Sequence, residues 1–244
     1  MINAVYAAAI GSRREMARLD VIANNLANVG TAGFREDKPF FKQLTQFLGE
    51  GDNGGGGTSV NESLASVTVH RPGALRQTGN STDIAIQGDG FFVVQDENGK
   101  EGYTRCGAFR LDGEGRLVTM DGSVVQGEGG EILVTEGELI IDSGGNIIVN
   151  GDISDRLKIV DFDNKNMLSK IGKVQFSDDQ QQAGMKSEDV DYTVVQGAIE
   201  ESNVNPIKQM VLMIDAGRNY EAYQRIMKMV DQTNENAATS IAKV

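Results

Sequence analysis

The chain has 244 residues, 39% of them apolar, a net charge of −12 and one cysteine, Cys106. It holds enough apolar residues to bury a core in one or two domains, which excludes a disordered tail, and a lone thiol excludes an internal disulfide. So acidic a chain argues against nucleic acid as a partner, because phosphate binding needs clustered Lys and Arg. The charge is unevenly spread. Residues 1–48 hold 6 basic and 4 acidic residues and residues 200–244 hold 5 and 6, leaving 12 basic and 25 acidic between them, where 26 of the 30 glycines also fall. Two near-neutral, glycine-poor ends flank an acidic, glycine-rich centre.

At the amino end, Ile2, Val5, Ala9, Ser12, Met16, Leu19, Ala23 and Leu26 recur at alternating steps of three and four. That 3.5-residue period is what one helix uses to bury itself along another. It predicts a helix of about 25 residues, about 37 Å long. Asn28-Val29-Gly30 marks its stop, with Gly30 suited to a left-handed C-cap. The apolar patch at residues 4–10 is short, follows no basic residue and precedes Arg13 and Arg14, the reverse of a cleaved secretory signal. No run approaches the length needed to cross a bilayer, so no membrane insertion is expected, and export, if it occurs, takes another route.

Beyond this helix, Phe40, Phe41 and Phe47 suggest a short helix, and residues 49–57, with six glycines in nine, read as a linker or surface loop. Residues 67–69 form a plausible strand before the Pro72-Gly73 turn. The centre then alternates β-rich runs with turns: 83–87, 91–95, 103–111, 116–119, 123–126, 132–135, 139–141, 147–149 and 157–161, with later candidates at 173–176 and 192–196 around a polar insertion, 177–191. Asn98-Gly99, Asp112-Gly113, Asp121-Gly122, Gly144-Gly145 and Asn150-Gly151 mark the corners. No helical period intervenes, which predicts one antiparallel β domain.

Asn205-Pro206 offers an N-cap followed by proline at the first helical position. From there a second seam runs through Met213, Ala216, Tyr220, Tyr223, Met227, Val230, Asn234, Ala237, Ile241 and Val244, with Asn234 alone polar. Met210 to Ile214 is apolar all round one turn, which a helix burying one face does not need. Neighbouring subunits or a deep intramolecular core would each account for it. The expected architecture is α+β: N- and C-terminal helices paired as a coiled-coil-like domain around a central, mainly antiparallel β domain. The expected divisions are an N-terminal helix at 1–35, a connecting segment at 36–80, the β domain at 81–198 and a C-terminal helix at 199–244.

Catalytic chemistry is scarce. His70, the one histidine, stands beside Arg71-Pro72 in a turn-like segment and suits a surface or hydrogen-bonding role better than a nucleophile's base. One His and one Cys fall short of a zinc set. Residues 161–166 begin like a calcium loop, but the sixth position is Asn166 and the twelfth Gly172, where glycine and glutamate are required. Gly88-Asp89-Gly90 is half a dinucleotide fingerprint and lies between strands. No catalytic residue, cofactor or metal is expected.

A resemblance adds to this reading. Leu19-Asp20-Val21-Ile22-Ala23-Asn24-Asn25-Leu26-Ala27-Asn28-Val29-Gly30-Thr31-Ala32-Gly33-Phe34 resembles the signature of the bacterial flagellar rod and hook proteins. The stretch Asp83 to Phe92, with Gly88, Gly90, Phe91 and Phe92, resembles their second signature, and Tyr103-Thr104-Arg105 with Gly107 and Phe109 their third. Glu200 to Pro206, with Asn203 and Asn205, is similar to their carboxyl-terminal signature, and Val204-Asn205-Pro206 leans to the proximal-rod members. The resemblance implies a structural subunit of the basal-body rod, spanning the periplasm and transmitting torque. It implies assembly with copies of itself and other rod subunits, and delivery by the flagellar type III export apparatus without a cleaved signal. Ile2, Val5, Ala9, Met16, Leu19, Leu26, Met210, Met213, Tyr220, Tyr223, Met227, Val230 and Ile241 are the expected assembly surface. The alternatives are a distal-rod or hook subunit of the same family, and a secreted β-domain binding module or carbohydrate-active enzyme dimerising through its helical ends.

Overall fold

A computed structural model describes residues 2–47, 58–134, 139–186 and 190–241. The predicted glycine loop at 49–57 lies outside them. Two compact units form. The first comprises Met1–Ala27, Asp37–Val67 and Asn205–Val244, the second Asn28–Glu36 and Thr68–Val204.

In the first unit, α1 (Ile2–Ala27) and α2 (Pro206–Ile241) pack together, beside a two-stranded sheet of β1 (Asp37–Phe47) and β2 (Thr58–Thr68). The aromatic segment predicted as a short helix is thus a strand, because β2 supplies a ladder partner that the sequence does not reveal. At the start of α2, Asn205 acts as the cap, its Oδ1 accepting the Lys208 N–H at 3.0 Å. The α2 seam at Ala216, Tyr220, Tyr223, Met227 and Val230 is buried or half-buried.

α1 departs from its predicted stripe. Its covered face runs through Ala8, Gly11, Ser12, Ile22 and Asn25, while Ala9, Met16 and Ala23 face solvent. Size decided this. A Cβ on Gly11 would stand 2.5 Å from the Tyr223 ring, and Ser12 Oγ accepts from Gln224 Nε2 at 3.3 Å, so Gly11 and Ser12 line the closest approach, where a long side chain such as that of Met16 has no room. The helix stop also differs. Gly30 does not adopt a positive φ; the left-handed glycine is Gly33, and the chain turns at Asn28 through a Thr31 N–H to Asn28 O bond of 3.1 Å.

The second unit is antiparallel throughout its described pairings, with β3 (Leu75–Gln77), β4 (Ile84–Gly88), β5 (Phe91–Gln95), β6 (Glu101–Thr104), β7 (Phe109–Leu111), β8 (Leu117–Thr119), β9 (Val124–Gly127) and β10 (Gly130–Glu131). It continues with β11 (Leu139–Ile141), β12 (Asn146–Val149), β13 (Asp152–Arg156), β14 (Ile159–Phe162), β15 (Ser169–Ile171), β16 (Gln175–Ser177), β17 (Met185–Lys186), β18 (Tyr192–Gln196) and β19 (Ala198–Glu200). The main sheet runs β15-β16-β6-β5-β9-β8-β7, with β10, β14 and β17 attached. β11-β12-β13, β18-β4 and β19-β3 form smaller sheets.

Strand β5 organises the core. Its apolar run splits by the two-residue period of a strand: Phe92 and Val94 enter one cluster with Ile84, Phe109 and Val125, while Phe91 and Val93 enter another with Val160, Phe162 and Phe176. Full burial of each such side chain stabilises by about 1.5–3 kcal/mol. The predicted strand at 103–111 is interrupted, because Gly107 O accepts the Ile84 N–H at 2.9 Å and Ala108 bridges Asp83. β13 and β19 were not legible as separate strands. Three hairpins share one five-residue turn: at Asp96, Asp112 and Asp142 the carboxylate Oδ1 accepts the N–H groups two and four residues on, at 2.8–2.9 Å. Each turn closes on a glycine of positive φ, Gly99, Gly115 or Gly145.

Candidate functional site: a buried polar clasp and an exposed helical surface

Segment 28–36, which follows α1, is held against the strand that precedes α2. Gly33 has φ of +68°, its N–H donates to Glu200 O at 2.8 Å, and a Cβ there would lie 2.3 Å from Cys106 N. Both the conformation and the space require glycine. Phe34 is fully buried with Val174 and Val204, and Lys170 Nζ stands 4.0 Å above its ring. Arg35 follows, also fully buried, with Nη1 donating to Glu200 Oε1 at 2.7 Å and to Arg71 O at 2.5 Å.

Glu200 is the hub. Its Oε1 also accepts the Gly73 N–H at 2.7 Å, and its Oε2 lies 3.5 Å from Arg105 Nη1. Arg105 ties the cluster to β4, donating to Ile86 O at 3.1 Å and Gly88 O at 2.6 Å. Asn203 finishes it. Its Oδ1 accepts the Glu36 N–H at 2.7 Å, and its Nδ2 donates to Val69 O and Arg71 O, both at 2.8 Å. Two guanidinium groups share one carboxylate away from water. Burial pushes the Arg35 guanidinium below its ordinary value against the opposing pull of Glu200, and pushes Arg105 down to about 10. Both remain charged at neutral pH, so Glu200 is their necessary counter-ion; breaking such a buried pair typically costs about 3–5 kcal/mol.

The helices present a different surface. On α2, Ile207, Met210, Val211 and Ile214 are 74%, 51%, 53% and 56% exposed, so the all-apolar turn does not sit in an intramolecular core. Exposed apolar residues contiguous along one helix mark an interaction surface. On α1, Tyr6, Ala9 and Met16 are exposed, while Val5, Leu19 and Leu26 are half-buried. The side chains of Ile2 and Ile241 lie outside the described environments.

Residues 6–35 match the family description "Flagella basal body rod protein", residues 85–155 match "Flagellar hook protein FlgE/F/G D1 domain", and residues 195–240 match "Flagellar basal body rod FlgEFG protein C-terminal". The chain is 31% identical over 255 residues to the flagellar basal-body rod protein FlgG of Bacillus subtilis, covering 95% of this chain and 96% of the relative. It is 30% identical over 250 residues to the flagellar basal-body rod protein FlgF of Caulobacter vibrioides, covering 100% and 98%. This chain belongs to the flagellar rod and hook family. It is a structural rod subunit, and its family is not enzymatic.

The rod-family signature residues gather largely at the clasp and the core. Asn25 imitates a strand residue, its Nδ2 donating to Asp37 O at 2.7 Å and its Oδ1 accepting the Asp37 N–H at 2.9 Å. Asn28 is buried at the turn and Asn24 is exposed. Phe91 and Phe92 enter the two core clusters from opposite faces of β5, with Gly88 closing β4 and Gly90 in the turn before them. At Gly88, φ is +109° and a Cβ would meet Asp191 O at 2.4 Å. The would-be calcium carboxylates pair with lysines instead: Asp161 with Lys165 at 3.0 Å, and Asp163 with Lys186. Among the described residues no cluster suits a metal ion, and no helix is long and apolar enough to cross a membrane. His70 packs on the rings of Phe91 and Phe176. Cys106 stands between β6 and β7, its thiol pushed up by burial. Arg35 and Glu200 were missed as a functional pair. The available signal was a charged residue directly after Gly33-Phe34 and another at the first position of the carboxyl-terminal signature.

Proposed function

We propose that this rod subunit belongs to the proximal part of the flagellar rod and builds a torque-transmitting tube through its terminal helices. One observation carries the reading: in a rod-family chain, the start of α2 presents Ile207, Met210, Val211 and Ile214 to solvent, an apolar surface that neighbouring subunits would cover. In this reading α1 and α2 pair in a coiled-coil-like manner as the helical domain, within 1–35 and 199–244, and residues 81–198 form the β domain. The assembly surface comprises Ile2, Val5, Ala9, Met16, Leu19, Leu26, Met210, Met213, Tyr220, Tyr223, Met227, Val230 and Ile241. The partners are further copies and other rod subunits, met in the periplasm after passage through the flagellar type III export apparatus without a cleaved signal. Val204-Asn205-Pro206 and the full-length match to a FlgF relative support the proximal position. The FlgG relatives support the distal rod as the second reading.

The test is to introduce Met210→Lys and Ile214→Lys together and to look for the tagged chain in purified basal bodies. Because both residues are exposed, the isolated chain should keep its stability within about 0.5 kcal/mol, while rod incorporation and motility are lost. Basal bodies that incorporate the double variant normally would overturn the proposal.

A further inference from the structure

The chain passes between its two units four times, at residues 27/28, 36/37, 67/68 and 204/205. Within the second unit, the segments at all four passages converge on the clasp. Segment 28–36 contributes Gly33, Arg35 and Glu36; the returning segment contributes Val69, Arg71 and Gly73; the departing segment contributes Glu200 and Asn203. Their bonds cross-link every pair of segments: Arg35 to Glu200 and to Arg71 O, Glu36 N to Asn203, Val69 N to Glu36 O at 2.8 Å, Asn203 to Val69 O and Arg71 O, and Gly73 N to Glu200. Arg105 fastens the same carboxylate to β4.

We infer that the Glu200-centred clasp is the mechanical anchor of the second unit: load arriving along any of the four connections is shared among the others there, before it reaches the β core. This rests on the rod reading, in which load is applied through the first unit. The physical basis is the chemistry of the joint. At its centre the Arg35, Arg105 and Glu200 side chains are buried and joined by charge-assisted contacts, and Asn203 adds neutral bonds around them; each of these side chains holds two or more segments, so pulling one segment out unpairs buried charge. Strand-by-strand peeling of β3 or β19, each only three residues long, offers no comparable resistance.

The experiment combines hydrogen exchange on the isolated full chain with swimming in media thickened by a soluble polymer. Glu200→Gln removes the counter-ion while keeping shape. The amides of Gly33, Glu36 and Gly73 should exchange at least about tenfold faster, while those of β5 keep their protection. Cells carrying this variant should swim in plain buffer and stall at a lower viscosity than the wild type. Should Glu200→Gln unprotect β5 as well, Asn203→Ala decides by the same two readouts. Unchanged clasp exchange, or wild-type swimming at every viscosity, overturns the inference. A strain lacking the chain altogether separates the two levels: if that strain swims normally, the rod reading itself fails.

Discussion

Gly33→Ala should destabilise the second unit severely, and the structure supplies two controls for the reason. Gly33 combines a left-handed backbone with a backbone neighbour 2.3 Å from the added Cβ; Gly79 has φ of +74° and nothing within 4 Å; Gly30 has neither a positive φ nor a neighbour. A left-handed alanine costs about 1–2 kcal/mol, partly offset by the about 0.4–1 kcal/mol that alanine contributes by restricting the unfolded chain. Gly79→Ala should therefore cost about 1 kcal/mol, and Gly30→Ala should be neutral or more stable by up to about 1 kcal/mol. At Gly33 the Cβ also forces the backbone at Cys106 away and stretches the Gly33 N–H to Glu200 O bond, which leaves buried polar groups unmatched at about 1–3 kcal/mol. The total is about 1–5 kcal/mol, at its upper end a large share of the 5–15 kcal/mol by which such domains are stable. Urea unfolding followed by circular dichroism, with linear extrapolation to water, measures all three. Equal costs at Gly33 and Gly79 would refute the close approach as the cause.

Two further outcomes are expected. Hydrogen bonds hold Asp96, Asp112 and Asp142 below the usual carboxylate range, from the Lys100 backbone, the Arg116 side chain and the Asn146 side chain in the first place respectively. A depressed folded value contributes stability above the unfolded value near about 4, lost as pH falls through the folded one; the unfolding midpoint should drop on acidification below that value, and less steeply in the triple Asp→Asn variant. In the helical unit, Gly11→Leu should loosen α1 from α2 by about 1–3 kcal/mol through overpacking against Tyr223. Tyr223→Ala should restore part of that loss in the double variant; strictly additive effects in thermal melts would refute the contact.

Much of the fold was legible because it rests on local rules. The 3.5-residue period marked both helices, Asn205-Pro206 marked the start of α2, and the apolar run at 91–95 marked β5 as a strand. What local rules miss is partner choice. The segment of Phe40 and Phe41 became a strand because β2 lies beside it, and residues 103–111 broke in two because Gly107 meets Ile84. The three aspartate turns share the spacing Asp-x-x-Gly at 96–99, 112–115 and 142–145, but so short a word recurs by chance, and only the hydrogen-bonding geometry shows the three to be one turn.

By itself, then, the sequence determined the two terminal helices, most of the central strands, the capped start of α2 and the membership of the family, since each depends on residues near one another in the chain. Tertiary structure decided which face of α1 is covered, because that depends on how closely Gly11 lets the Tyr223 ring approach. It also decided that Arg35, Arg105 and Glu200 share one dry site: successive members stand 70 and 95 residues apart in the chain, and only folding gives two arginines a common carboxylate. Burial, not spacing, makes that carboxylate indispensable.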